Sequence, residues 1–537
     1  MSTAAIALPA ARPRTEINPW IVAAAVVVPT FMEVLDTTIA NVALRYIAGG
    51  LSAAVVDSEW VITSYLAANA VILPISGWIS ARMGRRNYFM LSIAVFTLAS
   101  ALCGFATSLP QLILFRVIQG LAGGGLQPSS QAILLDAFPP EKQGGAMTVF
   151  GLAALVGPVV GPTLGGYLTD NYNWRWIFYI NVPVGLFAIA ACYLTVRDPD
   201  YLQEQRTDLL NKPLNFDYIG FGLLALGMSC WETMLSKGQQ WDWFGDPFWR
   251  VQTLVALIIF CFGMLVVREL RIKNPVVNFR PLAERNFLMS SIIIFCTYGV
   301  LYAASTSLPA LLQSLFGYDA YHSGLVMSPA GLFAICVLII GGIMLRAGTD
   351  ARKLIFVGLI IVGIANYWMS VMNLQISPLQ AAGPRIVMIV GLSLTFAPLN
   401  VAAYMYMPRE LRAAAVGLFS LLRNEGGSVG VSIAQTIQER REQFHILRLN
   451  ERLDLFNHNV TTLAKGLQQY FFLGNGDLAW SNKMTWQSLA NLRDKQASSL
   501  AYFDVFWVAG MVAFCLVVLV FFMKRSVAEK GAHVAAD

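Results

Sequence analysis

The sequence predicts an all-α polytopic membrane protein, and three observations carry that prediction. Of its 537 residues, 56% are hydrophobic and only 13% charged, where an ordinary soluble chain carries about 25% charged residues. Its mean hydropathy is +0.59. Apolar runs of roughly 20 residues recur from Trp20 to Met523, each long enough to cross about 30 Å of hydrocarbon at 1.5 Å per residue. A large soluble catalytic domain, a nucleic-acid-binding domain and a disordered chain are excluded by the same count, since little sequence is left for any of them.

Fourteen spans are expected: 20–40, 59–80, 88–107, 109–135, 146–168, 176–196, 217–235, 248–267, 287–310, 323–345, 354–372, 385–404, 413–437 and 501–523. The polar stretch 1–19 precedes the first run without a small-residue cleavage signature, so that run reads as a retained helix. Positive charge concentrates on the cytoplasmic side of membrane proteins. With the N-terminus inside, the opposite short segments hold only Arg45, Arg175, Lys237, Arg250 and Arg385, while clusters such as Arg82, Arg85 and Arg86 fall inside. Arg116 and Arg423 lie within spans, and 1–19 and 524–537 are both expected to be cytoplasmic.

An internal repeat points to two halves. Gly77-x4-Arg82-x-Gly84 after the second span recurs as Gly341-x4-Arg346-x-Gly348 after the tenth. The expected organisation is a six-helix bundle over 20–196, a linker with two inserted helices over 197–286, and a second six-helix bundle over 287–523 that includes an outer segment 438–500. Parallel repeats of this kind are the logic of secondary transporters.

Chemistry concentrates in the first and fourth spans. Glu33 and Asp36 share a polar stripe with Thr37 and Asn41 on an otherwise apolar helix. An acid at membrane depth costs about 2.5–3.5 kcal/mol, so both must face a cavity or a partner. Arg116 lies at comparable depth, which makes Asp36 and Arg116 the candidate proton-coupling pair; a fixed ion pair that only joins helices is the alternative. Gln119, Gly120, Gly123 and Gln127 follow Arg116 on one face and suggest a polar cavity wall, or a small-residue packing seam. The pairs Tyr65 with Asn69 and Tyr298 with Tyr302 have the i, i+4 spacing to line the same cavity, with ordinary helix packing the stronger alternative. Substrate contacts are therefore expected at Glu33, Thr37, Asn41, Gln119, Gln127, Tyr65, Asn69, Tyr298 and Tyr302.

The fifth span interleaves Gly157-Pro158, Gly161-Pro162 and Gly165-Gly166. Glycines four apart let a neighbouring helix approach, and the prolines favour a bend used in gating. The seven cysteines all fall in apolar runs and read as small core hydrophobes, and the four histidines are expected in loops or the tail. No metal site is expected. GxSxG around Ser428 lies in a span with no strand before it and no His nearby, so it is not read as a hydrolase elbow. GxGxxA from Gly220 also lacks a strand, and no P-loop motif occurs, so the chain is not an ATP-driven pump of P-loop type. In 438–500, Ile446, Leu449, Leu453, Phe456, Val460, Leu463 and Leu467 alternate spacings of three and four. That pattern predicts a heptad seam, for a partner's helices or for a surface of the protein or membrane.

Leu35-Asp36-Thr37-Thr38-Ile39-Ala40-Asn41-Val42-Ala43 resembles the first-helix signature of the 14-helix drug:proton antiporters (EmrB/QacA type) of the major facilitator superfamily. Gly77 to Arg86 resembles the superfamily's conserved loop between helices two and three, Arg116-Val-Ile-Gln-Gly120 its fourth-helix motif, and Gly161-Pro-x-x-Gly165-Gly166 its fifth-helix antiporter motif. Trp174 to Gly185 and Arg423 to Gly430 also resemble family segments. Ala81 stands where the loop usually has Asp, and Arg45 where Pro is common. The resemblance implies the major facilitator fold and gating roles for Gly77, Arg82, Gly84 and Arg85. It further implies exchange of protons for hydrophobic or cationic drugs across a bacterial inner membrane, driven by the proton gradient without a cofactor. An EmrA-like periplasmic adaptor and an outer-membrane channel are the implied partners. Export of one metabolite, siderophore or fatty acid, and an uncoupled uniporter, are the alternatives.

Overall fold

The computed structural model describes residues 18–139, 142–199, 202–203, 206–207, 217–272, 275–408, 411–454 and 456–526. Most of 1–19 and 524–537, and parts of the linker, therefore lie outside the described residues. No strand occurs among those described. The first half holds α1 (Pro19–Gly50), α2 (Val55–Ser58), α3 (Trp60–Ile72), α4 (Ser76–Met83), α5 (Arg85–Phe105), α6 (Leu109–Gly123), α7 (Leu126–Ala137), α8 (Gln143–Asn171), α9 (Trp176–Tyr179) and α10 (Asn181–Thr195). Next come α11 (Tyr218–Lys237) and α12 (Arg250–Glu269), packed on each other. The second half holds α13 (Arg285–Leu315), α14 (Ala320–Met327), α15 (Pro329–Arg346), α16 (Ala351–Ser370), α17 (Pro378–Tyr404), α18 (Arg412–Asn450), α19 (His458–Asn475) and α20 (Leu478–Phe521).

Local chemistry starts these helices where the sequence allows. Pro19 occupies the first turn of α1, where its missing N–H costs nothing, and Asn18 accepts from the Trp20 amide at 3.0 Å. Glu284 caps α13 through the Phe287 amide at 2.7 Å. Ser377 and Gln380 form a reciprocal capping box on α17. The repeated loop is reproduced in backbone conformation. Gly84 and Gly348 have φ of 87° and 86°, a region that residues with a Cβ rarely adopt.

Eleven of the described helices are long and apolar enough to cross a membrane, and two bent pairs add two more. These pairs are α3 with α4, bent by 59°, and the two parts of α8, bent by 43°. The expected span 413–437 lies in α18, whose apolar face is interrupted by Arg423 and Glu425. Both α18, of 39 residues, and α20, of 44, are about 58 and 66 Å long at 1.5 Å per residue, far beyond a bilayer core. Segment 438–500 is thus largely their continuation, braced by Arg493 to Asn450 at 2.7 Å and Arg441 to Asp504 at 2.5 Å. The heptad seam is not formed: α18 ends at Asn450, α19 begins at His458, and Phe456 in the turn between them is 94% exposed. A seam needs one unbroken helix.

Three smaller readings change. Arg385, taken as a loop residue, is wholly buried inside α17. Cys336 and Cys515 are exposed on their helices. His445 sits on the α18 extension, bonded to Asp504 at 2.8 Å, His322 lies on α14 and His458 opens α19, so none of these three is in a loop.

Packing sets two groups of helices side by side. In the first, α1 lies on α8 and α10, and α6 on α3 and α5; in the second, α13 lies on α18, and α17 on α16. Helix α8 runs along α14 and α15 of the second group. Towards the Pro19 end, Gln131 of α7 donates to Asn400 of α17 at 3.0 Å. Towards the Gly50 end, α11 stands between the groups. Its Ser236 meets Thr63 of α3 at 2.5 Å, its Lys237 pairs with Glu59 at 2.7 Å, and its Trp231 donates to Glu425 of α18 at 2.7 Å.

Candidate functional site

Helical geometry turns Glu33, Thr37 and Asn41 towards one side of α1, because each step of four residues advances only about 40° around the axis. Asp36 lies about 60° away on the other flank, and the two acids accordingly have different partners. Asp36, 2% exposed, accepts from Arg116 Nη1 at 2.5 Å, Gln119 Nε2 at 3.0 Å and Asn181 Nδ2 at 2.8 Å. Arg116 is fully buried, donates Nε to the Val61 carbonyl at 3.0 Å, and lies 4.2 Å from the Tyr65 ring centroid. The network therefore ties α1, α6 and α10 together, and Ser100 of α5 joins through Asn181 at 3.0 Å.

Glu33, also 2% exposed, accepts from Asn69 at 3.2 Å, from the Tyr65 hydroxyl at 3.5 Å and from Gln127. Gln127 in turn accepts from Arg423 of α18, so this network crosses between the two groups. Three neutral donors hold the Glu33 carboxyl.

A cavity of about 180 Å³ opens beside Glu33. Its wall takes Glu33, Thr37, Asn41, Tyr65, Asn69, Arg116 and Gln127 from the first group, and Tyr302, Asn424 and Glu425 from the second. Gln119 stands behind the wall, on Asp36. Tyr298 is buried beneath Arg423, whose guanidinium carbon is 5.6 Å from its ring centroid, and it stacks towards Tyr302 with centroids 6.2 Å apart.

The glycine ladder of α8 faces α1. A Cβ on Gly157 would meet Val34 at 2.6 Å, one on Gly161 would overlap Thr38, and one on Gly165 would touch the Ile39 carbonyl at 3.3 Å. Pro158 and Pro162 are inside the same helix, and Gly166 beside Gly165 is buried. In the repeated loop, Gly77 and Arg82 lie on α4, Gly84 joins α4 to α5, and Arg85 forms an ion pair with Asp136 of α7. Asp198 accepts from the Arg86 amide at 2.9 Å, which puts a carboxylate at this loop although Ala81 itself carries none.

Sequence reasoning missed Asn181, Glu232 and Glu425. Asn181 is 145 positions from its partner Asp36. Glu232 and Glu425 were visible as acids within apolar runs, the signal that singled out Glu33. The second half repeats the Asp36 to Arg116 geometry in altered form. Arg385 and Ser305 each lie 269 positions after Arg116 and Asp36, and Arg385 Nη2 donates to Ser305 at 2.7 Å while Nε and Nη1 have no partner among the described residues.

A bundle of membrane-crossing helices in two groups, with a polar cavity between them and buried charges on its wall, defines a membrane transporter. The chain belongs to the major facilitator superfamily, whose family model matches residues 27–431. It is 35% identical over 498 residues to the Multidrug export protein EmrB of Haemophilus influenzae, covering 92% of this chain and 94% of the relative. It is 34% identical to the Fatty acid resistance protein FarB of Neisseria gonorrhoeae over 441 residues, 82% of this chain and 84% of that one. Among solved structures, the proton:xylose symporter XylE has the same fold, with a TM-score of 0.59 at 12% identity over 95% of this chain and 97% of that one.

Proposed function

We propose that this protein is a multidrug efflux transporter that exchanges protons for hydrophobic and cationic compounds by alternating access. The moving parts are the helix groups 20–196 and 287–523, with 197–286 inserted between them. The observation that carries this reading is the buried Asp36 to Arg116 network set directly behind a cavity walled by both groups. With Asp36 ionised the network is neutral, and with Asp36 protonated it carries the charge of Arg116. Each protonation change therefore alters the force holding α6 and α10 to α1, the helix that lines the cavity and packs on the glycine ladder of α8.

The cavity wall favours cations. It includes Glu33, Glu232 and Glu425, whereas among the described residues its one arginine is engaged by Asp36 and its Glu59 is paired with Lys237. A fatty acid anion would meet unfavourable potential there, which disfavours the alternative suggested by the FarB relationship. Substrate contacts fall to Glu33, Thr37, Asn41, Tyr65, Asn69, Gln127 and Tyr302, while Gln119 and Tyr298 position their neighbours.

In this reading the protein sits in a bacterial inner membrane with both termini cytoplasmic. The projection formed by α18, α19 and α20 then reaches outwards, where an EmrA-like adaptor and an outer-membrane channel would complete a tripartite pump. The α18 to α20 projection offers such a partner Leu463, Tyr470 and Leu473, all exposed.

The test is efflux of a fluorescent cation from proteoliposomes carrying an imposed pH gradient. Asp36→Asn keeps the shape of the network and removes its titration, so uphill efflux should vanish while the protein still folds and binds drug. Full pH-driven efflux by Asp36→Asn would remove that carboxylate from coupling, and efflux by wild type that ignores the gradient would favour a uniporter.

A further inference from the structure

The inserted helix α11 reads in sequence as one more apolar span, yet it carries Glu232 at membrane depth, 3% exposed, against Glu425 of α18, 6% exposed. Both carboxyl groups are on the wall of the same cavity, brought there from neighbouring helices. Two carboxylates buried close together without a cation between them repel strongly where water is excluded, so one of them holds a proton while the cavity is empty. Trp231 Nε1, next to Glu232 in the chain, donates to Glu425 at 2.7 Å and so ties α11 to α18 at this point.

The neighbouring charges are committed elsewhere. On α11 itself, Lys237 pairs with Glu59 of α3. On α18, Arg423 is bonded to Gln127, Glu439 accepts from Gln239, and Arg440 faces Asp242 at 3.6 Å. At the start of α12, Arg250 pairs with Asp246, and from α1 the facing group is Glu33. Both acids line the cavity. Ser432, seven residues after Glu425 and 3% exposed, lines it too, and its hydroxyl has no partner among the described residues. A buried hydroxyl without a partner is destabilising unless a ligand or water completes it, and here it lines the same space as the two carboxyls.

We propose that Glu232 and Glu425 form a second acidic subsite of the cavity, where their shared proton is exchanged for the positive centre of a lipophilic organic cation. The inserted helix pair is then part of the substrate path. The exchange balances: the O–H bond of the protonated carboxyl breaks, its proton leaves to water in the cavity, and the resulting pair of carboxylates faces one cation. This inference rests on the reading of the cavity as a drug path, and it adds a site independent of Asp36.

The experiment uses the purified full chain in weakly buffered detergent solution with tetraphenylphosphonium as probe. Binding is followed by calorimetry and proton release by an indicator dye. Wild type should release protons on binding, and its affinity should rise with pH by up to about tenfold per unit while the shared proton is bound. Glu232→Gln and Glu425→Gln should each lose most of that release and bind tetraphenylphosphonium about tenfold or more weakly. Binding of the neutral dye N-phenyl-1-naphthylamine should be unchanged. If a Gln variant fails to fold, Glu232→Asp, which keeps the charge and withdraws it, should still weaken cation binding and shift its pH dependence. Wild-type binding and release that persist unchanged in the Gln or Asp variants overturn this inference alone. A wild type that binds no tetraphenylphosphonium overturns the drug-path reading and this inference with it.

Discussion

Replacing Asp36 with Ala removes two oxygens that accept three hydrogen bonds, and it leaves Arg116 fully buried without its counter-charge. The residual partners of Arg116 are the Val61 carbonyl, Gln119 and the Tyr65 ring. Its Nη2 already has no partner among the described residues, so none of them offers a spare acceptor to take over. Breaking one side of a buried pair costs about 3–5 kcal/mol, because the remaining charge stays desolvated. Removing both sides costs less, since no charge is then stranded. Asp36→Ala should therefore lower the thermal unfolding midpoint in detergent by several degrees, and Asp36→Ala with Arg116→Leu should be more stable than Asp36→Ala alone. The coupling energy from the full double-mutant cycle should reach about 2 kcal/mol or more. Intrinsic fluorescence during a thermal ramp measures all four proteins under one condition. Simple additivity of the two single effects would refute the claim that these side chains stabilise each other, and with it the view that the charge state of Asp36 controls the packing of α1 on α6.

Further expectations follow from the same contacts. Gly161→Leu would drive a side chain into Thr38 of α1, at a cost of about 1–3 kcal/mol if the helices cannot separate; it should insert yet stop transport, read by efflux and by labelling of cavity cysteines from both sides of the membrane. Wild-type efflux with wild-type labelling would exclude close α1 to α8 approach from the cycle. Ser305→Asp should give the buried Arg385 a counter-charge and raise stability by about 1–3 kcal/mol, seen as a higher unfolding midpoint; a lower midpoint would show that Arg385 is already compensated. In the turn between α11 and α12, Asp246 is held below the ordinary carboxylate range by the Arg250 side chain, then by the Phe248 and Arg250 amides, against a raising effect of burial. A depressed carboxylate stabilises above its unfolded pKa of about 3.9, and that contribution is lost as pH falls through the folded value. Asp246→Asn should thus leave the pH dependence of stability unchanged between pH 5 and 8 and alter it only in stronger acid.

The sequence by itself determined the solvent of this protein and the outline of its chemistry. Hydropathy is a property of each stretch of chain in lipid, so the spans, the bent fifth helix and the repeated loop were readable one segment at a time, and Gly84 and Gly348 adopt the same backbone conformation as the repeat requires. Glu33, Asp36 and Arg116 were legible because a charge in an apolar run is costly wherever it points. Which neighbour relieves that cost was decided only by tertiary packing. Glu33 and Asp36, three residues apart, separate into two networks because α3 and α7 meet one flank of α1 while α6 and α10 meet the other. Periodicity in 438–500 ran across a break between α18 and α19, because spacing alone carries no information about where a helix ends. The role of Glu232 was invisible for the same reason. Its partner Glu425 lies on another helix group, and only the position of α11 between the groups brings the two carboxyls onto one cavity wall.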